Sequence, residues 1–173
     1  PFEISIQTPR LCLQPITKDR SEEICSGFTG EVTRYMFPKP PDDISETEDF
    51  IRSSIDKMHN GEEIVFTIIQ KQNSDFIGCA GIHSLNTATP VLGIWTKVPA
   101  HGNGYGKETI HALYNWLCEN NEFDYVIYPV DRRNTPSLKI PESLGGEVKK
   151  EYRQVNQQGR ELQLQEYHIY RKS

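Results

Sequence analysis

Short apolar runs of period two alternate with segments of helical period along this chain, and Pro and Gly punctuate the joins. Arg10-Leu11-Cys12-Leu13 predicts a first strand, with Leu11 and Leu13 on one face and Pro15 closing it. Lys18 to Phe28 predicts a weak helix with Ile24 and Phe28 on one side. The Pro-rich loop Phe37-Pro38-Lys39-Pro40-Pro41-Asp42-Asp43 separates it from a stronger helix. Ser45 is the expected N-cap of that helix, with Glu48 as its capping-box partner. Phe50, Ile51, Ile55 and Met58 line its apolar face, and Asn60-Gly61 stops it.

Ile64 to Gln70 and Phe76 to His83 read as second and third strands around the turn Asn73-Ser74-Asp75. A fourth strand spans Val91 to Val98 and runs into His101-Gly102-Asn103-Gly104-Tyr105-Gly106. The helix that follows carries Ile110, Leu113, Tyr114 and Leu117 at helical spacing. Tyr125 to Val130 is a fifth strand, and a short helix runs from near Thr135 to Gly145-Gly146. Val148–Val155 and Leu162–Tyr170 flank the turn Asn156-Gln157-Gln158-Gly159. No repeat, low-complexity tract or linker interrupts this order. Residues 1–173 therefore read as one mixed α/β domain, a sheet of about seven strands with helices on both faces.

Composition narrows the function. The 173 residues are 36% apolar and 25% charged, which excludes an intrinsically disordered chain. No run approaches the ~18 apolar residues of a membrane helix. The start Pro1-Phe2-Glu3-Ile4 lacks the basic-then-apolar pattern of a signal peptide. A net charge of -5 without a basic stripe argues against a nucleic-acid partner. Cys12, Cys25, Cys79 and Cys118 form no C-x-x-C pair and have no His at ligand spacing. They read as reduced core residues of a cytoplasmic protein, with no metal implied.

The glycine turn is the most informative segment. Gly102, Gly104 and Gly106 alternate between a strand and an amphipathic helix. Such glycines let a backbone approach a ligand and free its amides, and the helix start adds a positive dipole end. The combination makes a phosphate or pyrophosphate cradle; a tight turn without ligand is the plainer alternative. A P-loop is excluded, because position 101 is His and position 108 is Glu. A dinucleotide fingerprint is excluded, because the third glycine would fall on Lys107.

His101 to Gly106 resembles the [QR]-x-x-G-x-[GA] motif of the GNAT N-acetyltransferases, with His101 replacing the usual Gln or Arg. Thr8-Pro9-Arg10-Leu11-Cys12-Leu13-Gln14-Pro15 is similar to the T-x-R-L-x-L-R-P opening of the RimJ/RimL-like branch. Arg34-Tyr35-Met36, Gly93-Ile94-Trp95, Gly104-Tyr105-Gly106-Lys107-Glu108, Asn134-Thr135-Pro136-Ser137 and Glu142-Ser143-Leu144-Gly145 follow in that branch's order. The departures are Val98 for a frequent Pro, Gly146 for an aromatic, Pro141 inside the short helix, and Val91 for a Glu that is the family's candidate base.

The resemblance implies the GNAT fold, with its sheet splayed between the fourth and fifth strands, and acetyl-CoA as acetyl donor to a primary amine. It places pyrophosphate on the amides of Gly102, Asn103, Gly104, Tyr105, Gly106 and Lys107, beside His101. It places pantetheine along Trp95, Thr96 and Val98, with an amide near Thr96 facing the thioester carbonyl. Asn134 would bind pantetheine or, as the plainer alternative, cap the short helix. Ser137 would donate to the departing thiolate or face solvent.

An amine must lose its proton to attack, and a lysine-like amine is mostly charged at pH 7. With Val91 in place of the Glu, His83 is the leading general base, since imidazoles ordinarily titrate near ~6.5. Bulk water acting on a low-pKa amine is the alternative. Tyr35, Phe37, Asp42 and Asp43 offer an aromatic wall and negative charge to a cationic acceptor. The acceptor is a protein N-terminus or a small-molecule amine, and a homodimer is common in the family. Two other readings compete: a catalytically silent CoA-binding sensor or scaffold, and an unrelated nucleotide-binding α/β domain.

Overall fold

The long apolar run Ile64-Val-Phe-Thr-Ile-Ile69 has no polar face, which suits a strand covered on both sides. In the computed structural model, which describes residues 4–172, that run is a buried central strand. The strands are β1 (Ile6–Gln7), β2 (Leu11–Pro15), β3 (Ile64–Gln70), β4 (Phe76–His83), β5 (Val91–Thr96), β6 (Tyr125–Asp131), β7 (Glu147–Val155) and β8 (Glu161–Tyr170). The helices are α1 (Ser21–Gly27), α2 (Ile44–His59), α3 (Tyr105–Asn120) and α4 (Thr135–Ser143). One sheet holds all eight strands in the order β1-β2-β3-β4-β5-β6-β8-β7. Every neighbouring pair is antiparallel except β5 and β6.

β5 and β6 share a single register pair, Val91 with Ile127, and then diverge. This is the expected splay, and it leaves an open edge inside the sheet. Helices cover both faces. Ile24 of α1 and Ile51 of α2 pack on Val65, Ile69, Phe76 and Cys79 on one face. Ile110, Leu113 and Leu117 of α3 and Ile140 of α4 pack on Phe66, Leu92, Val126 and Ile169 on the other.

Several expectations are corrected. The sheet has eight strands, because Ile6–Gln7 pairs with Cys12 and Leu13; two residues are too short for a period-two signal. The fourth predicted strand ends at Thr96, and Val98 lies in the one-turn 3-10 segment Val98–Ala100, where Pro99 has no amide for a ladder. Asp43, not Ser45, caps α2 by accepting from the Ser45 amide at 2.9 Å. Phe50 is 48% exposed instead of lying on the buried face. Only Cys79 is fully buried; Cys12, Cys25 and Cys118 are half-buried free thiols. The segment from Lys18 is a 3-10 turn before α1 begins at Ser21. Pro141 stands in the last turn of α4, which stops two residues later, as a missing amide requires. Pro1 to Glu3 and Ser173 lie outside the described residues. Among the described residues no helix is long and apolar enough to cross a membrane.

Candidate active site

Gly102 and Gly104 have φ of 81° and 77°, a left-handed backbone that glycine adopts without strain. Gly104 is the N-cap of α3 and offers no side chain to its first turn. Among the described residues nothing accepts from the amides of Gly102 to Lys107. Orphan amides at a helix start, with the dipole behind them, form an anion cradle. Gly106 has a different reason to be glycine: a Cβ there would lie 3.2 Å from Ile140 Cδ1, so α4 approaches closely.

The chain opening holds this turn. Arg10 donates from Nε to Glu108 Oε1 at 2.8 Å and from Nη2 to the Asn103 carbonyl at 2.9 Å. Thr8 Oγ1 and the Arg10 amide both donate to Glu108 Oε2. Burial works against the Glu108 carboxylate, yet these donors hold its pKa below the ordinary value. The Arg10 guanidinium also lies 4.6 Å over the Tyr105 ring. Asn103 Nδ2 braces the turn by donating to the Ala100 carbonyl at 2.9 Å. Lys107 is exposed.

β5 presents its free edge to the same end of the sheet. The Lys97 amide donates to the Ile77 carbonyl of β4 at 2.8 Å, and antiparallel ladders alternate. Odd-numbered residues therefore turn toward β4, while Leu92, Ile94 and Thr96 turn their backbone groups toward β6. Ile127 meets the Pro90 carbonyl in that same direction. Past Val91 no β6 residue is in register, so Ile94 and Thr96 face the open gap. His101 Nε2 lies 2.8 Å from the Thr96 carbonyl. A carbonyl only accepts, so this nitrogen carries the proton.

On the α1/α2 face a cleft of about 400 Å³ opens beside β5. Trp95 lines it and packs on Phe28 and Phe76, with ring centroids 4.9 and 5.9 Å apart. His83 also lines it. Its Nδ1 is 3.1 Å from Glu63 Oε1, and this hydrogen bond is the main reason the Glu63 carboxyl titrates below its ordinary range; burial opposes it. The carboxylate accepts, so Nδ1 donates, and in the neutral ring the lone pair is then on Nε2. Gly81 and Gly93, paired across β4 and β5, leave room for that nitrogen. A Cβ on Gly81 would lie 2.7 Å from Nε2, and one on Gly93 3.8 Å. The arrangement is an imidazole oriented by Glu63 that lines the cleft.

α4 brings Asn134 and Ser137 to the opposite face. Asn134 occupies the N-cap position, but its side chain makes no capping bond, so the capping alternative is not realised. Ser137 is half-buried and its Oγ lies 2.7 Å from Tyr128 Oη, so it does not simply face solvent. Burial pushes the Tyr128 phenol up to about 12, with the Ser137 bond acting the other way. Ser137 and His83 make no contact, because α4 and the His83 cleft lie on different faces. A hollow of about 700 Å³ between β1 and the outer side of α3 shares only its Gly104–Lys107 edge with the turn.

Glu63, Gly81 and Tyr128 escape a reading of local pattern. Glu63 sits in a polar turn, 20 residues from His83, and nothing in its neighbourhood marks it. A missing base at Val91 with a histidine in the preceding strand is the one signal that pointed there.

The fold and this site define a class, and sequence comparison gives the same class. Residues 10–147 match the model of the acetyltransferase (GNAT) domain, and the chain belongs to that family. It is an acyltransferase that uses acetyl-CoA as co-substrate. A Bacillus licheniformis protein, described as the uncharacterized N-acetyltransferase p20, is 26% identical over 143 residues, 81% of this chain and 80% of the relative. Two solved structures share the fold. RimL, the ribosomal L7/L12 alpha-N-protein acetyltransferase in complex with coenzyme A, superposes with a TM-score of 0.81 at 12% identity over 96% of this chain and 98% of its own. The spermidine N-acetyltransferase of Vibrio cholerae, with CoA and spermine, gives 0.80 at 16% identity over 93% and 95%.

Proposed function

We propose that this chain acetylates a primary amine directly from acetyl-CoA, with His83 as general base. The observation that carries this reading is the Glu63–His83 pair, whose Nε2 lies over Gly81 and Gly93 on the cleft face of β4 and β5. The amides from Gly102 to Lys107 hold pyrophosphate, assisted by the helix dipole. The backbone groups of Ile94 and Thr96, Trp95 and the turn at Val98 hold pantetheine, with Asn134 on its other side. His101 fixes the Thr96 carbonyl and so orients the neighbouring amide.

Acetyl-CoA, when bound, supplies a thioester carbonyl at which a C–N bond forms as the C–S bond breaks. His83 Nε2 takes the proton that the amine must lose, and Glu63 stabilises the imidazolium that results. The Thr96 amide donates to the carbonyl oxygen as negative charge grows there. Ser137 Oγ, bonded to a Tyr128 phenol that stays protonated, holds a hydrogen-bond donor for the sulfur. A silent CoA-binding role is disfavoured by an oriented base opposite the position where the family's Glu is absent.

Thermal melting and thiol release test this reading together. Saturating acetyl-CoA raises the melting temperature, because a ligand that binds only the folded state stabilises it, and free CoA accumulates when an accepted amine is added. No shift in melting temperature would remove the acetyl-CoA site.

A further inference from the structure

The cleft that holds His83 differs from what a polycation or a peptide end requires. Its walls are apolar: Ile24, Phe28, Met36, Phe50 and Trp95, with prolines at the rim. Its charged groups are already engaged. Lys39 Nζ pairs with Asp42 at 3.1 Å and Glu46 at 3.3 Å, and the second Glu46 oxygen accepts from the Asp42 amide at 2.9 Å. Asp43 caps α2. The loop acids Asp42 and Asp43 each already hold a partner, Lys39 and the Ser45 amide, and both stay at the surface outside the cleft lining. Glu63 is turned toward the imidazole and stands behind it, on the Nδ1 side.

The cleft is also closed along one side. The hairpin tip between β7 and β8 docks on the loop before α2. Asn156 Nδ2 donates to the Met36 carbonyl at 3.0 Å, the Gln157 amide to the Phe37 carbonyl at 2.9 Å, and the Lys39 amide to Gln157 Oε1 at 3.1 Å. These bonds use the polar groups of that rim. A peptide end would bury amides and carbonyls with few partners, and a second ammonium would have to compete with Lys39 for Asp42 and Glu46; each such group is expensive to desolvate unpaired. About 400 Å³ lies at the small end of ligand pockets.

We infer that the acceptor is a compact monoamine carrying an apolar, aromatic-sized body, of the arylalkylamine class. The inference rests on the acetyl-transfer reading of the same cleft. The body packs against Phe28, Phe50 and Trp95, and the amine nitrogen reaches His83 Nε2.

The test compares 2-phenylethylamine, spermidine and a short peptide with a free N-terminal serine, each with saturating acetyl-CoA. The kcat/KM for 2-phenylethylamine should exceed the other two by at least about 100-fold, the scale on which a buried site rejects groups it cannot pair. With CoA present, 2-phenylethylamine should raise the melting temperature further and spermidine should not. Phe50→Asp, at a half-exposed position, should lower kcat/KM for 2-phenylethylamine about 10-fold, narrow its margin over spermidine, and leave the shift by acetyl-CoA unchanged. Preference for spermidine or the peptide overturns the inferred class and leaves acetyl transfer standing. Failure to acetylate all three, with the acetyl-CoA shift intact, overturns it as well. Absence of the acetyl-CoA shift itself removes the underlying reading, and this inference with it.

Discussion

His83 and Val91 face each other across β4 and β5 as register partners, so their side chains share one face of the sheet. The resemblance to the family places its candidate base at position 91, and this chain carries valine there. The imidazole on the neighbouring strand reaches the same surface and is oriented by Glu63. The proposed function puts the base one strand away from that position, with Gly81 and Gly93 clearing its space.

Glu63→Gln keeps the size of the side chain and removes its charge. An imidazolium without a facing carboxylate gives up its proton more readily, so the acid limb of the kcat/KM profile should move to lower pH. The plateau should fall about 10-fold as the base weakens. A profile that coincides with the parent's would separate Glu63 from catalysis.

Gly81→Ala places a Cβ where His83 Nε2 now sits 2.7 Å away, and the ring must move. The expected result is a loss of kcat of up to about 100-fold with little change in KM for acetyl-CoA, since a displaced base affects chemistry more than donor binding. Steady-state kinetics measures both. Parental kcat in this variant would mean that the ring position is irrelevant.

Arg10→Ala removes the links from the chain opening to Glu108 and to the Asn103 carbonyl. The glycine turn then loses its preorganisation, and Kd for acetyl-CoA should rise about 10-fold by calorimetry. Arg10→Lys should not restore affinity, because a point-charge ammonium cannot span both partners. Unchanged affinity in Arg10→Ala would show that the turn holds its shape without this brace.

Ser137→Ala should lower kcat about 10-fold to 100-fold while leaving KM for acetyl-CoA in place. A hydrogen bond that strengthens as charge develops on sulfur contributes to the transition state more than to the ground state. A silent substitution would reduce Ser137 to a partner of Tyr128.

The Asp131 side chain is buried; burial acts against its charge, but Arg133 and the amides of Arg133 and Gln163 hold its pKa below the ordinary value. A carboxyl with a depressed folded pKa contributes stability that is present above its unfolded pKa, ~3.9, and is lost as pH falls through the folded one. Asp131→Asn should lower the melting temperature at pH 7 by about 3–10 °C and flatten its decline below about pH 4.

The glycine turn was legible because left-handed backbone and close helix approach constrain residue type locally, at Gly102, Gly104 and Gly106. The paired strands and α3 were legible from periodicity. Glu63 was not, because its meaning comes from a partner on another strand. The occupied state of Asp42 and Asp43 was also hidden, since Lys39, Glu46 and the Ser45 amide reach them only once the loop folds. The α2 cap was misplaced for a related reason: Ser45 and Asp43 both suit an N-cap, and the backbone chose the earlier one.

The pH dependence of kcat for His83→Gln, with 2-phenylethylamine or any other accepted amine, tests the relocated base most directly. The account predicts a loss of about 100-fold to 10,000-fold at neutral pH, disappearance of the parent's acid limb, and an unchanged rise in melting temperature with acetyl-CoA. Parental turnover with the same acid limb would contradict it.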